Sequence, residues 1–174
     1  LITQNKERQV LENVDVLIHQ DEIHEIGRGL SDYLNPETVI DCSEKVVMPG
    51  LINTHTHSSM TVLRGISDNS VLQDWLENYI FPAEDKIGEE DAYLGTLLAS
   101  IEMLETGTTT FNDMYFHMEN VADAVEDTGI RAVLSKGLTD IEDKGDLYGA
   151  ENLIRTYAGH ERIDIGVGPH SVYT

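Results

Sequence analysis

From Val46 onward the chain changes period: short apolar runs of strand length alternate with amphipathic stretches that stop at glycine. The strand candidates are Val46 to Asn53, Thr108 to Met114, Ile130 to Leu134 and Ile163 to Val167. Helices are expected between them at about 89–106, 119–128 and 147–158. In the first, Tyr93, Leu97, Ile101 and Leu104 recur at helical spacing and Gly107 supplies the stop. In the second, Val121 and Val125 face inward and Gly129 ends the run. Strands that alternate with helices imply βαβ units and a parallel sheet, so this pattern confines the segment to an α/β fold. The first strand, with β-branched Val46, Val47 and Ile52, reads as covered on both faces.

The chain before Val46 is different. Val14 to His19 and Glu22 to Gly27 are β-type runs separated by Gln20-Asp21, a hairpin pattern, and Thr38-Val39-Ile40-Asp41-Cys42 is a third strand candidate. His19 and His24 are expected to be ordinary strand residues.

Residues 58–88 interrupt the alternation. A βα connection usually takes about 2–6 residues, and longer ones are usually functional. Leu72, Trp75, Leu76 and Tyr79 fall at i, i+3, i+4 and i+7, a short amphipathic helix that Phe81-Pro82-Ala83-Glu84 is expected to end. On local sequence alone, Trp75 is a packing anchor and Glu84 a solvated loop residue.

Thirty-two acidic residues stand against eleven basic ones, a net charge of −21. Such a surface repels phosphate backbones and anionic lipids, which argues against nucleic-acid or membrane-surface partners. The acidic residues are scattered, as on a solvated face. No apolar run approaches the ~20 residues of a membrane span, and Leu1-Ile2-Thr3-Gln4-Asn5-Lys6 does not read as a signal peptide. Cys42 is the only cysteine, which excludes an internal disulfide and suits a reducing cytoplasm. Its setting at the edge of an apolar run predicts a small packing residue.

Chemistry concentrates at His55-Thr56-His57, where the first strand gives way to the polar Ser58-Ser59-Met60-Thr61. Residues i and i+2 of a strand share a face, so both imidazoles can converge on one ion at Zn–N distances of about 2.0–2.1 Å. Asp113, near the end of the second strand, is read either as a buried carboxylate bonded to backbone N–H groups or as a functional group. His117 is placed at the following loop or helix start, and His160 in an exposed turn before the fourth strand.

Four stretches in order carry a resemblance: Val47 to His57, Glu105 to Tyr115, Arg131 to Gly137, and Gly168 to Thr174. Together they resemble the amidohydrolase superfamily, in the branch of S-adenosylhomocysteine/5′-methylthioadenosine deaminases and triazine chlorohydrolases. The fold this implies is an incomplete (β/α)8 TIM barrel, its first four strands, preceded by part of a small β-sandwich. Residues 1–48 would be the N-terminal part of that accessory sandwich and residues 49–174 the first half of the barrel. A complete barrel needs eight strands and roughly 250 residues.

The resemblance makes His55 and His57 the first two ligands of a zinc ion, with iron as the other candidate and one divalent ion per complete active site. It makes Trp75 and Glu84 contacts to a nucleoside, Glu84 accepting from the ribose hydroxyls, and His170 a substrate contact after the fourth strand. Ser135 and Lys136 fall where the family contacts substrate. Lys136 stands where arginine is frequent, and a second arginine has no clear match in Lys144 to Gly149. Lysine does not replace a bidentate guanidinium on a carboxylate, so a neutral methylthio substrate stays as open as a homocysteine one. The family's remaining ligands, its proton-shuttling Glu and the later His beside the metal have no counterpart, so no catalytic residue is expected within this chain. The function implied is hydrolytic deamination of an adenosine-type nucleoside. Alternatives are another heterocycle reaction, chlorohydrolysis included, or a non-catalytic half that only associates. Its partners would be the small-molecule substrate and either the missing C-terminal half or a second copy.

Overall fold

The computed structural model describes residues 1–30, 34–140 and 146–172. Lys144, Gly145, Tyr173 and Thr174 of the stretches quoted above lie outside the described residues. The chain divides into two compact units, Leu1–Pro49 and Gly50–Thr174.

In the first unit β1 (Asp15–His19) pairs antiparallel with β2 (Glu22–Gly27), as the period-2 pattern predicts. The turn runs through Gln20 at φ 58°, and a bulge lies between Leu17 and Ile18. His19 and His24 are exposed strand residues. The Asp15 carboxylate accepts the N–H of Leu30, a buried apolar residue of this unit, at 2.8 Å. The expected strand over Thr38 to Cys42 does not form: no described strand offers it a ladder, and Val39 and Ile40 stay exposed. Cys42 is exposed rather than packed.

The second unit is a four-stranded parallel sheet in the order β3 (Leu51–Thr56), β4 (Thr108–Tyr115), β5 (Arg131–Leu138) and β6 (Ile163–Pro169). Its α/β class and sheet direction are those read from the alternation. Helices α3 (Glu89–Glu105), α4 (Met118–Thr128) and α5 (Leu147–Thr156) form the crossovers. The core lies between the sheet and α4: Phe111 and Leu134 from the strands meet Met118, Val121 and Val125, with Leu153 and Ile163 beside them. Each such fully buried side chain contributes about 1.5–3 kcal/mol relative to exposure. The stops at Gly107 and Gly129 hold, both glycines at positive φ.

Coverage of the first strand is a correction. β3 begins at Leu51, not Val46, because the Val47 carbonyl accepts from Ile2 in the first unit at 2.8 Å. Leu51 and Ile52 are 51% and 66% exposed. The cause is that β3 is an edge strand of this sheet among the described residues, with a partner on one side only.

Helix α3 also differs. The side it buries is Ala92, Gly95, Thr96 and Ser100, while Ile101 and Leu104 are exposed. This small-residue face admits the 3-10 turn Ser58–Leu63 at close range; a Cβ on Gly95 would meet the Ser59 carbonyl oxygen at 2.4 Å. Polar bonds across the contact, such as Thr96 Oγ1 to Ser58 Oγ at 2.9 Å, replace the apolar packing that the spacing predicts.

The long connection is helical over most of its second half. It runs through α1 (Leu72–Trp75), a π-helical turn (Leu76–Ile80) and α2 (Phe81–Glu84). Pro82 therefore does not end the helix. The wider π register directly before it absorbs the missing N–H and the ring that would otherwise break an α-helix.

Candidate metal and substrate edge

Because the four strands are parallel, their carboxyl ends share one edge. Thr56 stands opposite Asp113, Met114 opposite Ser135, and Ser135 opposite Gly166. The β3–β4 ladder is interrupted between Asn53 and Thr56, and side chains take over there. Thr56 Oγ1 donates to the Asn112 carbonyl at 2.9 Å, Asn112 Nδ2 to the Thr54 carbonyl at 3.2 Å, and the His55 N–H to Asn53 Oδ1 at 3.3 Å. This irregular strand end carries the two histidines.

The rings of His55 and His57 stand edge to face with centroids 5.0 Å apart. His57 Nδ1 donates to the Met114 carbonyl at 2.7 Å. A carbonyl can only accept, so this bond places the proton on Nδ1 and leaves the Nε2 lone pair available. That is how metal-binding imidazoles are usually oriented. His55 is exposed and His57 half-buried, lining a cavity of about 450 Å³ with Asn53, Thr61, Ala99 and Met103. The donor set suits zinc, and iron as well, since imidazole serves both. Among the described residues no third His, Cys, Asp or Glu completes a metal-holding cluster.

Asp113 lies beneath this pair and is fully buried. It accepts the Ser58 N–H at 3.2 Å to each carboxylate oxygen, and the Ser58 hydroxyl at shorter range. Burial pushes its carboxyl up from the ordinary value, against the opposing pull of Ser58 and His57. It thus holds the start of the turn that follows the histidines.

Two positions after Asp113 on the same face of β4, Tyr115 Oη donates to Glu84 Oε1 at 2.5 Å, and its ring centroid lies 6.0 Å from that of His57. Burial, then the bond to Glu84, raises the phenol above its ordinary value. Glu84 is therefore tied to the strand edge beside the histidines rather than solvated in a free loop. Sequence reading assigned no role to Tyr115 or the Met114 carbonyl. The period of two through Phe111, Asp113 and Tyr115 was the available signal for the tyrosine; a main-chain acceptor leaves none.

The remaining candidates make other contacts. Trp75 is half-buried and lines a cleft of about 400 Å³ with Met60, Arg64, Ile66, Asp68 and Ile80. Ser135 is buried between Gly166 and Gly168, where an added Cβ would meet its Oγ at 2.7 Å and its Cβ at 2.9 Å. Lys136 Nζ is paired with Asp146 Oδ2 at 2.7 Å, and Asp146 also caps α5 by accepting the Gly149 N–H at 2.8 Å. The bond from Lys136, then that from Gly149, holds the Asp146 carboxyl below its usual range. His170 is exposed just past β6, its N–H donating to the Leu138 carbonyl at 3.0 Å.

His117 directly precedes α4, at the expected helix start, with its backbone in the left-handed region. His160 is a correction, since it is half-buried rather than exposed. Its Nδ1 accepts the N–H groups of Arg162 and Ile163, and its Nε2 donates to Glu126 at 3.1 Å. No helix among the described residues is long and apolar enough to cross a membrane.

Comparison with known proteins bears on this edge. The amidohydrolase family profile matches residues 46–174. A 5′-deoxyadenosine deaminase of Methanocaldococcus jannaschii is 45% identical over 166 residues, covering 92% of this chain and 40% of that protein. A 5-methylthioadenosine/S-adenosylhomocysteine deaminase of Desulfitobacterium hafniense is 48% identical over 166 residues, covering 92% and 38%. An adenosine deaminase from Xanthomonas campestris solved with bound zinc superposes with a TM-score of 0.80 at 29% identity, covering 94% of this chain and 39% of that one. A zinc-complexed atrazine chlorohydrolase from Arthrobacter aurescens, at 23% identity and TM-score 0.79 over 98% and 45% of the two chains, shares the fold. The chain spans about 40% of the length of the curated relatives it matches.

Proposed function

The chain belongs to the amidohydrolase family, and from that premise we propose that it is the N-terminal portion of a metal-dependent hydrolytic deaminase of adenosine-type nucleosides. In that reaction water replaces the exocyclic amine of the purine and ammonia leaves. The observation that carries the reading is the His55–His57 pair with its Nδ1 bond to Met114, on the same strand edge as Glu84. The two histidines would hold one divalent ion, zinc as in the similar structures, with iron compatible with the same donors. When bound, such an ion supplies a nucleophile at neutral pH by lowering the pKa of water toward ~7.

The chain's own residues bind and orient. Glu84 would accept from the ribose hydroxyls, and Trp75, Ser135, Lys136 and His170 would line the rest of the substrate. Lys136 already has Asp146 as its counter-ion, which favours a nucleoside with an uncharged 5′ substituent over one that ends in a homocysteine carboxylate. Substituting Glu84→Gln in the full-length protein is expected to lower kcat/KM for nucleosides at least about tenfold, the loss of one hydrogen bond to a charged group. Deamination of the free base should change less than twofold. Equal losses on both would refute the ribose assignment.

The sequential strand order supports residues 49–174 as the first half of a (β/α)8 barrel: right-handed crossovers then put every helix on one face. The hairpin in residues 1–48 would be the N-terminal part of an accessory sandwich. A cytoplasmic setting fits the single exposed cysteine. On this reading the chain alone leaves apolar strand residues open at both sheet edges, Leu51 and Ile52 on β3 and Val167 on β6. Unpaired edges template association, so its partner would be the rest of the barrel or a second copy. Sedimentation of the isolated 174-residue chain is expected to show dimers or larger species. A non-associating monomer with a cooperative thermal transition would refute that.

A further inference from the structure

The geometry points to Tyr115 as a positioning residue that fixes the Glu84 carboxylate at the metal edge. This rests on the reading of Glu84 as the ribose acceptor. Glu84 ends a helical run that lies in the connection between β3 and α3, outside the sheet. A glutamate so placed has several rotamers, and ordering it has an entropic cost. Tyr115 removes that freedom. Its ring is buried at the end of β4 against Phe116, centroids 5.1 Å apart, and its hydroxyl donates to one oxygen of Glu84 at 2.5 Å.

A carboxylate offers about four lone-pair sites on two oxygens. With Oε1 held by Tyr115, Oε2 is left for a second donor, and its direction is set by the tyrosine. The next ring on the same side is His57, 6.0 Å from that of Tyr115. The spacing between a carboxylate that grips one end of a ligand and the metal at the other thus runs through Tyr115.

The test is Tyr115→Phe in the full-length protein, assayed on an adenosine-type nucleoside and on its 2′,3′-dideoxy analogue. KM for the ribonucleoside is expected to rise about tenfold, the equivalent of one hydrogen bond to a charged group. Its kcat should stay within about twofold, and KM for the dideoxy analogue should not move. A merely structural role would affect both substrates alike, and that outcome overturns the proposal.

A second measurement does not depend on what Glu84 touches. In a Glu84→Ala background, Tyr115→Phe should change kcat/KM less than twofold, because the residue it positions is gone. A further tenfold loss there overturns the positioning role. If instead that background absorbs the effect while Glu84→Gln fails to separate nucleoside from base, the ribose reading alone falls.

Discussion

On the proposed reading, alanine in place of His57 is expected to strip the full-length protein of a divalent ion and to lower deaminase turnover by at least about 10³-fold, since the nucleophile at neutral pH would depend on that ion. The expectation follows from how this side chain is held. Its Nδ1 proton is committed to the Met114 carbonyl, so the ring presents one lone pair in one orientation. Structural and catalytic zinc sites use three or four protein ligands, and His57 is one of the two proposed ligands, whose rings this chain brings together. Metal analysis after dialysis, beside a turnover assay, is the check. Near-stoichiometric metal with turnover within tenfold of the parent would place the ligands elsewhere.

Substituting Asp113→Ala should cost about 3 kcal/mol of stability, since it removes charge-assisted bonds and leaves buried donors unsatisfied. Two effects compete. Burying a carboxyl is unfavourable, as its raised pKa shows, so deleting it returns part of that cost. Against this, the buried Ser58 N–H loses its acceptor with no solvent to replace it, and the Ser58 hydroxyl keeps only Thr96 Oγ1. Unsatisfied groups in a closed site decide the sign. For a full-length protein of roughly 400 residues, the size of the relatives it matches, the loss corresponds to a fall in Tm of about 3–4 °C. Because Ser58 directly follows His57, metal affinity should fall as well. Thermal unfolding of the full-length variant within about 1 °C of the parent, the equivalent of under 1 kcal/mol, would show that the Ser58 contacts are dispensable.

What was legible in the sequence follows the range of the interactions. The β1–β2 hairpin is a local event, and its period-2 runs around Gln20-Asp21 match the observed pairing. Gly107 and Gly129 stop their helices for reasons of their own backbone. The His55–His57 pair was visible because two residues on one strand end need no distant partner to face the same way. Misreadings arose where a distant segment decides. The buried face of α3 is selected by Ser59, thirty-odd residues earlier, whose carbonyl lies where a Cβ on Gly95 would stand. The spacing of Leu97, Ile101 and Leu104 carries no trace of that. The bond between Glu84 and Tyr115 spans 31 positions, and neither residue's neighbours announce it. Pro82 reads as a terminator only when the preceding turn is assumed to be α.

The acceptor for His57 belongs to the main chain of β4 rather than to a side chain. Every amino acid at position 114 carries the same carbonyl, so exchange of the methionine leaves the tautomer of His57 intact. Drift at that position can therefore change the side chain beside the histidines while the orientation of the imidazole is inherited unchanged. Sheet geometry, not residue identity, is what selection has to preserve there. A strand edge built this way tolerates exchange of the side chain without turning the imidazole that a metal would meet.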